Sequence, residues 1–347
     1  MMRRIFSFLT IVVVLGAGPV AAQGPDDVRV VVRDVVKTVT ARAYQGRTRN
    51  NGPEQTETFS RKVKVGRDGR VSISNVAGDI KIAGGSGDDV TIEAVKRTRG
   101  DRSQLGAVQI IVDDRPGRVE VRTEYENDRS YRGRNFDVSV DYTVVVPTTA
   151  AVDVKSISGN VAVTGVQGAV HAETVSGTVT SSATPKLTAK TVSGDLELVN
   201  APADADLSAA TISGTIRAKG LKIRTLDLGS VSGDLFVTDL ACDRLGVKSV
   251  SGSVEFAGTL GKGGRYDINS HSGTIRLALA GNTGFELNAN SFSGSIRSDF
   301  PVTLGGTSDR NDRRRPGPGR ATHAVYGDGS ATLNIRTFSG DIVITKR

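Results

Sequence analysis

Apolar and polar positions alternate along this chain in short bursts, and from residue 152 onward the bursts recur. In "AVDVKSISGNVAV", residues 151–163, apolar side chains stand six and four residues before a Ser-Gly pair and again three residues after the Ser. The pair returns at Ser158, Ser176, Ser193, Ser213, Ser232, Ser251, Ser272, Ser293 and Ser339, in steps of 18, 17, 20, 19, 19, 21, 21 and 46 residues. A period near 19 residues marks a repeat architecture in which each repeat stacks on the next.

Six residues before the Ser stand Val152, Val170, Leu187, Leu207, Leu226, Leu245, Tyr266, Leu287 and Leu333; three after it stand Val161, Val179, Leu196, Ile216, Leu235, Val254, Ile275, Ile296 and Ile342. Period-two alternation on both sides predicts two short inward-facing strands per repeat. Their parities disagree. Counting from the first strand reaches the hydroxyl column Ser156, Thr174, Thr191, Thr211, Ser230, Ser249, Ser270, Ser291 and Thr337. Counting back from the second reaches Ile157, Val175, Val192, Ile212, Val231, Val250, His271, Phe292 and Phe338. The chain must therefore bend, and Gly159, Gly177, Gly194, Gly214, Gly233, Gly252, Gly273, Gly294 and Gly340 supply the corner. Equal positions ~4.8 Å apart predict hydroxyl ladders along the Ser and Thr columns. The expected fold is all-β: a single-stranded parallel β-solenoid (β-helix) of about nine coils, right-handed by the usual preference of parallel crossovers, with an N-terminal β-region capping it.

Boundaries follow from where the pattern changes. Residues 58–147 hold "RVSISNVAGDIKIAGGSGDDVTIEAVKRT", "AVQIIVDD", "GRVEVRTEY" and "FDVSVDYTVVVP", alternating strands expected to form the β-region and cap. The repeats occupy 148–347. The step of 46 reads as a coil interrupted by a basic Gly/Pro-rich loop at about 301–329, which contains "GGTSDRNDRRRPGPGR". That loop is either a solvated insertion or an anion-contacting arm using Arg310, Arg313, Arg314, Arg315 and Arg320. Residues 23–57 lack a convincing strand pattern and are expected to be partly disordered. Residues 1–22 read as a signal peptide: "MMRR", an apolar run too short to span a bilayer, then small residues up to Ala22.

Export, periplasmic or to the surface, is thus expected, with no transmembrane segment in the mature chain. A single cysteine, Cys242, allows no internal disulfide, so stability must come from packing. Net charge is +8. Loss of Arg3 and Arg4 with the signal leaves +6, spread along the chain, and with no Trp and few aromatics for stacking a nucleic-acid partner is not expected.

The succession "GRVSISNVAGDIKIAGGSGDDVTIEAVK", "VDYTVVVP" and serial "TVSGDLEL" corners resembles the bacterial putative-adhesin family, domains of unknown function in exported envelope proteins, over roughly residues 58–347. The resemblance implies a β-solenoid and an envelope role, with no catalytic residues to carry over.

Candidate chemistry is thin. Parallel β-helices host polysaccharide lyases and hydrolases that place carboxylates on adjacent coils. Asp195 and Asp234, both following a Ser-Gly, would stand two coils apart at ~9.6 Å, near the upper limit for an inverting pair. Asp and Asn are also ordinary turn residues. Residues 84–92, "GGSGDDVTI", partly match a calcium nonapeptide, but Thr91 replaces its large aliphatic residue and no tandem copy follows, so a hairpin turn is expected. His171, His271 and His323 are scattered, and His271 is expected to be a packed side chain. No catalytic residue, cofactor or metal is assigned. The expected function is a non-catalytic, adhesin-like or scaffold envelope protein presenting repeated polar faces to a glycan or protein. A polysaccharide enzyme and an envelope-stress sensing or assembly module are the alternatives.

Overall fold

A computed structural model describes residues 53–126, 137–301, 303–304 and 320–347. The signal-like segment and most of the residues 23–57 lie outside the described residues. Apart from one four-residue helix, Ser103–Gly106, the described elements are strands, and 25 of them form one sheet.

Each repeat contributes a strand ending at its Ser and a second beginning three residues later, as in Ala169–Ser176 and Val179–Ser182. Successive copies pair in parallel and in register. Ser158, Ser176, Ser193, Ser213, Ser232, Ser251 and Ser272 are neighbours along one ladder, and Val161, Val179, Leu196, Ile216, Leu235, Val254 and Ile275 along another. The columns at six before and three after the Ser line a common interior. Val152, Leu187, Leu226, Tyr266, Val179, Leu235 and Ile275 are all buried there. A fully buried side chain of this kind contributes about 1.5–3 kcal/mol.

The expectation of a single-stranded parallel β-solenoid (β-helix) is overturned by how this sheet closes. It is nearly closed and barrel-shaped, turning 327° round an axis. The cause lies in segments between the repeated columns that are themselves paired strands. Leu235–Ser251 and Val254–Ser272, of 17 and 19 residues, run through almost a whole repeat each, and pairs such as Ala241↔Thr259 and Cys242↔Leu260 carry the ladder round the intervening side. The column alternation reports that strands face inward; it is blind to whether they close on one another.

Both ends of the stack depart from chain order. At the amino-terminal end, Arg70–Ala77 pairs with Ala151–Ser158 on one side and with Arg118–Tyr125 on the other. Ile80–Gly85 likewise lies between Val161–Thr164 and Val138–Pro147. Val108–Arg115 and Gln55–Lys64 finish the two arcs as antiparallel strands. Arg61 joins these edges, reaching the Asp114 carboxylate at 3.0 Å and the Val112 carbonyl at 3.3 Å. Inside this end Asn75 takes the position that a hydroxyl fills in later repeats. Its amide donates to Val140 O at 2.8 Å, and its oxygen accepts from Thr123, whose hydroxyl meets buried Tyr142 at 2.7 Å.

At the other end, the final repeat is inserted out of order. Ala331–Ser339 pairs with Val254–Ser272 and with Phe285–Ser293, so the Ser339 copy lies between the Ser272 and Ser293 copies. Ile342–Lys346 is similarly held between Ile275–Ala280 and Ile296–Ser298. The carboxy-terminal strand is therefore an internal strand. Arg320–Tyr326, inside the region expected to be a loop, caps Phe285–Ser293 as an antiparallel strand.

Candidate interaction surface

The glycine corners form a stack of backbone against backbone. A Cβ placed on Gly177 would fall 2.7 Å from the Gly159 carbonyl carbon, and one on Gly252 2.8 Å from that of Gly233. Both residues also hold positive φ, +131° and +134°, so glycine is required twice over. All nine predicted corner glycines share this close approach to the preceding corner in the stack: Gly340 meets Gly273, and Gly294 meets Gly340.

The residue after each Ser-Gly pins one repeat to the next. Asn160 Oδ1 accepts from the Thr178 N–H at 3.0 Å, Asp195 Oδ1 from Thr215 at 2.8 Å and Asp234 Oδ1 from Ser253 at 2.8 Å. Asp341 Oδ1 accepts from both the N–H and the hydroxyl of Ser295, which hold its carboxyl below the ordinary carboxylate range. Asp195 has Arg217 at 3.5 Å from its second oxygen. The two carboxylates considered as an acid/base pair are thus each bonded to the backbone of the adjacent repeat, with Thr215 between them in the column.

Beside this column the structure reverses an expectation. The hydroxyl column is buried, and five of its members donate to backbone carbonyls, Thr174 to Ser176 O, Thr211 to Gly194 O, Ser230 to Gly233 O, Ser270 to Ser272 O and Ser291 to Gly340 O, while the hydroxyls of Ser156, Thr191, Ser249 and Thr337 are buried without a partner among the described residues. The described members form no hydroxyl-to-hydroxyl ladder, since each bonded one turns to a carbonyl. The apolar column next to it faces outward. Val76, Val250, Phe292 and Phe338, at 36%, 36%, 44% and 49% exposure, are four of the five exposed large hydrophobic residues among those described, and all belong to this column. Parity decides the matter, because the first strand keeps its alternation through the Ser and the bend falls at the Gly. His271 is exposed rather than packed inside; its ring stacks on Phe338 at 5.0 Å, and Phe338 stacks on Phe292 at 4.7 Å. The sequence signal for this ridge was the column's apolar character, broken only by His271, directly after a uniform hydroxyl column.

Other predicted features are dispersed. Arg310, Arg313, Arg314 and Arg315 lie outside the described residues; Arg320 opens the capping strand Arg320–Tyr326. The nonapeptide-like segment links Ile80–Gly85 to Asp89–Thr98, but these strands are not hairpin partners, since Val138–Pro147 pairs with both from between them. Its carboxylates are occupied, Asp88 by Arg67 at 3.1 Å and Asp89 by Lys62 at 3.1 Å. His171 contacts Glu173 at 2.9 Å, and that hydrogen bond lowers the Glu173 pKa against the opposing effect of burial. His323 contacts Asn288 at 2.8 Å. Among the described residues no group of three or more His, Cys, Asp or Glu could hold a metal ion, and no helix is long and apolar enough to cross a membrane. Burial pushes the Cys242 thiol up to about 12.

Solved structures similar to this chain include a putative lipid binding protein from Parabacteroides distasonis, with 12% identity, 85% of this chain and 97% of that chain covered, and a TM-score of 0.44. A putative adhesin from Bacteroides fragilis is 11% identical, with 83% and 97% covered and a TM-score of 0.40. A putative adhesin from Parabacteroides distasonis is 14% identical, with 85% and 98% covered and a TM-score of 0.36. No curated protein matches the chain. Residues 68–345 match the family Toastrack DUF4097, and the chain, whose repeated corners fall within that span, belongs to this family.

Proposed function

We propose that this chain is a non-catalytic exported cell-envelope protein, adhesin-like or scaffold in kind, that presents repeated polar columns to an extended envelope glycan or protein. The observation that carries this reading is the in-register stacking of outward polar side chains from repeat to repeat, as in the pairs Lys155–Glu173, Glu197–Arg217 and Glu255–Arg276. Rows of charges and amides at ~4.8 Å spacing suit a polymer with its own regular repeat. The bonding of Asp195 and Asp234 to backbone amides supports a structural role for the carboxylates that would otherwise suggest hydrolysis. Arg310, Arg313, Arg314, Arg315 and Arg320 are assigned as an anion-contacting arm on the strength of their clustering in sequence.

The test incubates the exported protein with peptidoglycan sacculi, lipopolysaccharide and acidic polysaccharides, scoring retained protein and released sugar together. Retention without release is expected, and the five-arginine-to-glutamine variant should weaken retention on the acidic polymers and flatten its salt dependence. Sugar release abolished by Asp195→Asn or Asp234→Asn would replace this reading with an enzymatic one. Absence of both retention and release would remove the glycan and leave a protein partner.

A further inference from the structure

The exposed apolar ridge runs beside the polar columns just assigned, and contiguous apolar surface on a folded protein marks a contact surface. With Val76 at one end and Phe292 at the other, it spans ten stacked positions, or ~43 Å at β spacing, with Ile157, Val175, Val192, Ile212 and Val231 half-buried between the exposed ends. Its two flanks carry opposite charge. Three residues before the corner Ser stand Lys155, Lys190, Lys248 and Arg336, against one acid, Glu173; two residues after the Ser, or at the matching position of the first repeat, stand Asp79, Asp195, Asp234 and Asp341. A ridge with a cationic side and an anionic side does not favour a surface of one sign, such as an anionic membrane. It is complementary to itself.

We propose that the occupant of this ridge is the same ridge on a second copy of the chain, related by a twofold axis parallel to the ridge. Of the two ways of facing a pair of identical ridges, antiparallel packing sets cationic flank against cationic flank. The parallel arrangement sets the lysine side of one copy against the aspartate side of the other, and every ridge side chain meets its own equivalent. The stacked rings of His271, Phe338 and Phe292 then gather with their counterparts at one end, where aromatic pairs add to the apolar contact. A strip of this length and ~12 Å width covers roughly 500 Å² per copy, below the standard interface size, so the dimer is a weak one that forms at micromolar or higher concentration.

Single-cysteine variants distinguish the arrangements, because native Cys242 is buried. Mild oxidation of Val175→Cys alone and of Val250→Cys alone should each give disulfide-linked dimer with rising protein concentration. Sedimentation equilibrium of the unmodified protein should show a monomer–dimer equilibrium, which Val250→Asp shifts at least tenfold toward monomer while the thermal midpoint moves little. The proposal is overturned if the protein stays monomeric at ~100 μM, or if cross-links form only in a mixture of the two variants, which would mean antiparallel packing. Binding to anionic vesicles that Val250→Asp abolishes, without any dimer, would make the ridge a lipid contact and equally overturn it. If Val250→Asp abolishes the dimer yet leaves retention on sacculi intact, the function proposed above and the dimer stand as independent properties; loss of sacculus binding alone would sink only the former.

Discussion

Replacing Gly252 by Ala puts a methyl group into the corner stack. Gly252 holds φ +134°, and its Cβ would lie 2.8 Å from the carbonyl carbon of Gly233. Forcing an L residue into a sparsely populated backbone region costs on the order of 1–3 kcal/mol. Relieving the overlap requires the two repeats to part at this point, which weakens the Gly233 N–H bond to Ser251 O at 3.1 Å and the Leu235 N–H bond to Ser253 O at 2.9 Å. Each such bond contributes about 0.5–1.5 kcal/mol. The total is roughly 2–6 kcal/mol, and at about 2–4 °C per kcal/mol for a domain of this size the thermal midpoint should fall by ~10 °C. Gly106→Ala is the matched control. It ends the helix Ser103–Gly106, its Cβ meets nothing within 4 Å, and its φ is not in the positive range. That variant should be unchanged or more stable by up to about 1 kcal/mol. Circular dichroism melts of the two proteins suffice. Equal midpoints would refute the argument that close backbone packing, rather than turn preference alone, selects glycine at the corners.

Leu235→Asp places a carboxylate at a position with no exposure; a loss of more than about 4 kcal/mol in urea unfolding is expected, whereas Leu235→Met should cost under about 1.5 kcal/mol. Asp341→Ala should speed hydrogen exchange of the Ser295 amide at neutral pH, and Asp341→Asn should restore protection. Because the Ser295 bonds depress the Asp341 pKa below 3.8, the stabilisation is fully present above that value. It is lost as pH falls through the folded pKa, so the difference between wild type and Asp341→Ala should close in acid. Cys242, with its thiol buried and its pKa pushed up to about 12, should react with a thiol reagent at pH 8 only after denaturation; prompt labelling of the native protein would show that the interior behind Leu235–Ser251 opens readily.

The inward columns were legible because apolar side chains recur at fixed offsets from a rigid landmark, and every repeat reports the same face. Closure was not legible: the segments that carry the ladder round, such as residues 238–244 and 257–265, differ from repeat to repeat and show no shared column. The direction of the outward ridge stays open in the sequence for a narrower reason. Two strands of opposite parity meet somewhere between Ser156 and Val161, and sequence alone does not say on which side of Ser158 the bend falls; the structure puts it at Gly159, leaving Ile157 outside and Ser156 within. Stacking order was hidden by the repetition itself, since "LNANSFSGSI" and "LNIRTFSGDI" fit the same neighbour. The turn role of Asp195 and Asp234 was readable from residue type, but their bonds to the next repeat needed the register.

The insertion of the last repeat between two earlier ones means that the order of synthesis is not the order of assembly. While residues 331–347 are still emerging, Val254–Ser272 presents an unoccupied edge, and Phe285–Ser293 carries nearly the phrase that belongs there. The chain must either hold the Ser293 repeat away until residues 331–347 arrive or dock it early and release it again. A ladder that grows by simple accretion from the Ser158 repeat to the Ser272 repeat thus continues by an insertion, and residues 331–347, made after both of their neighbours, become the piece that joins the Ser272 and Ser293 repeats into one sheet.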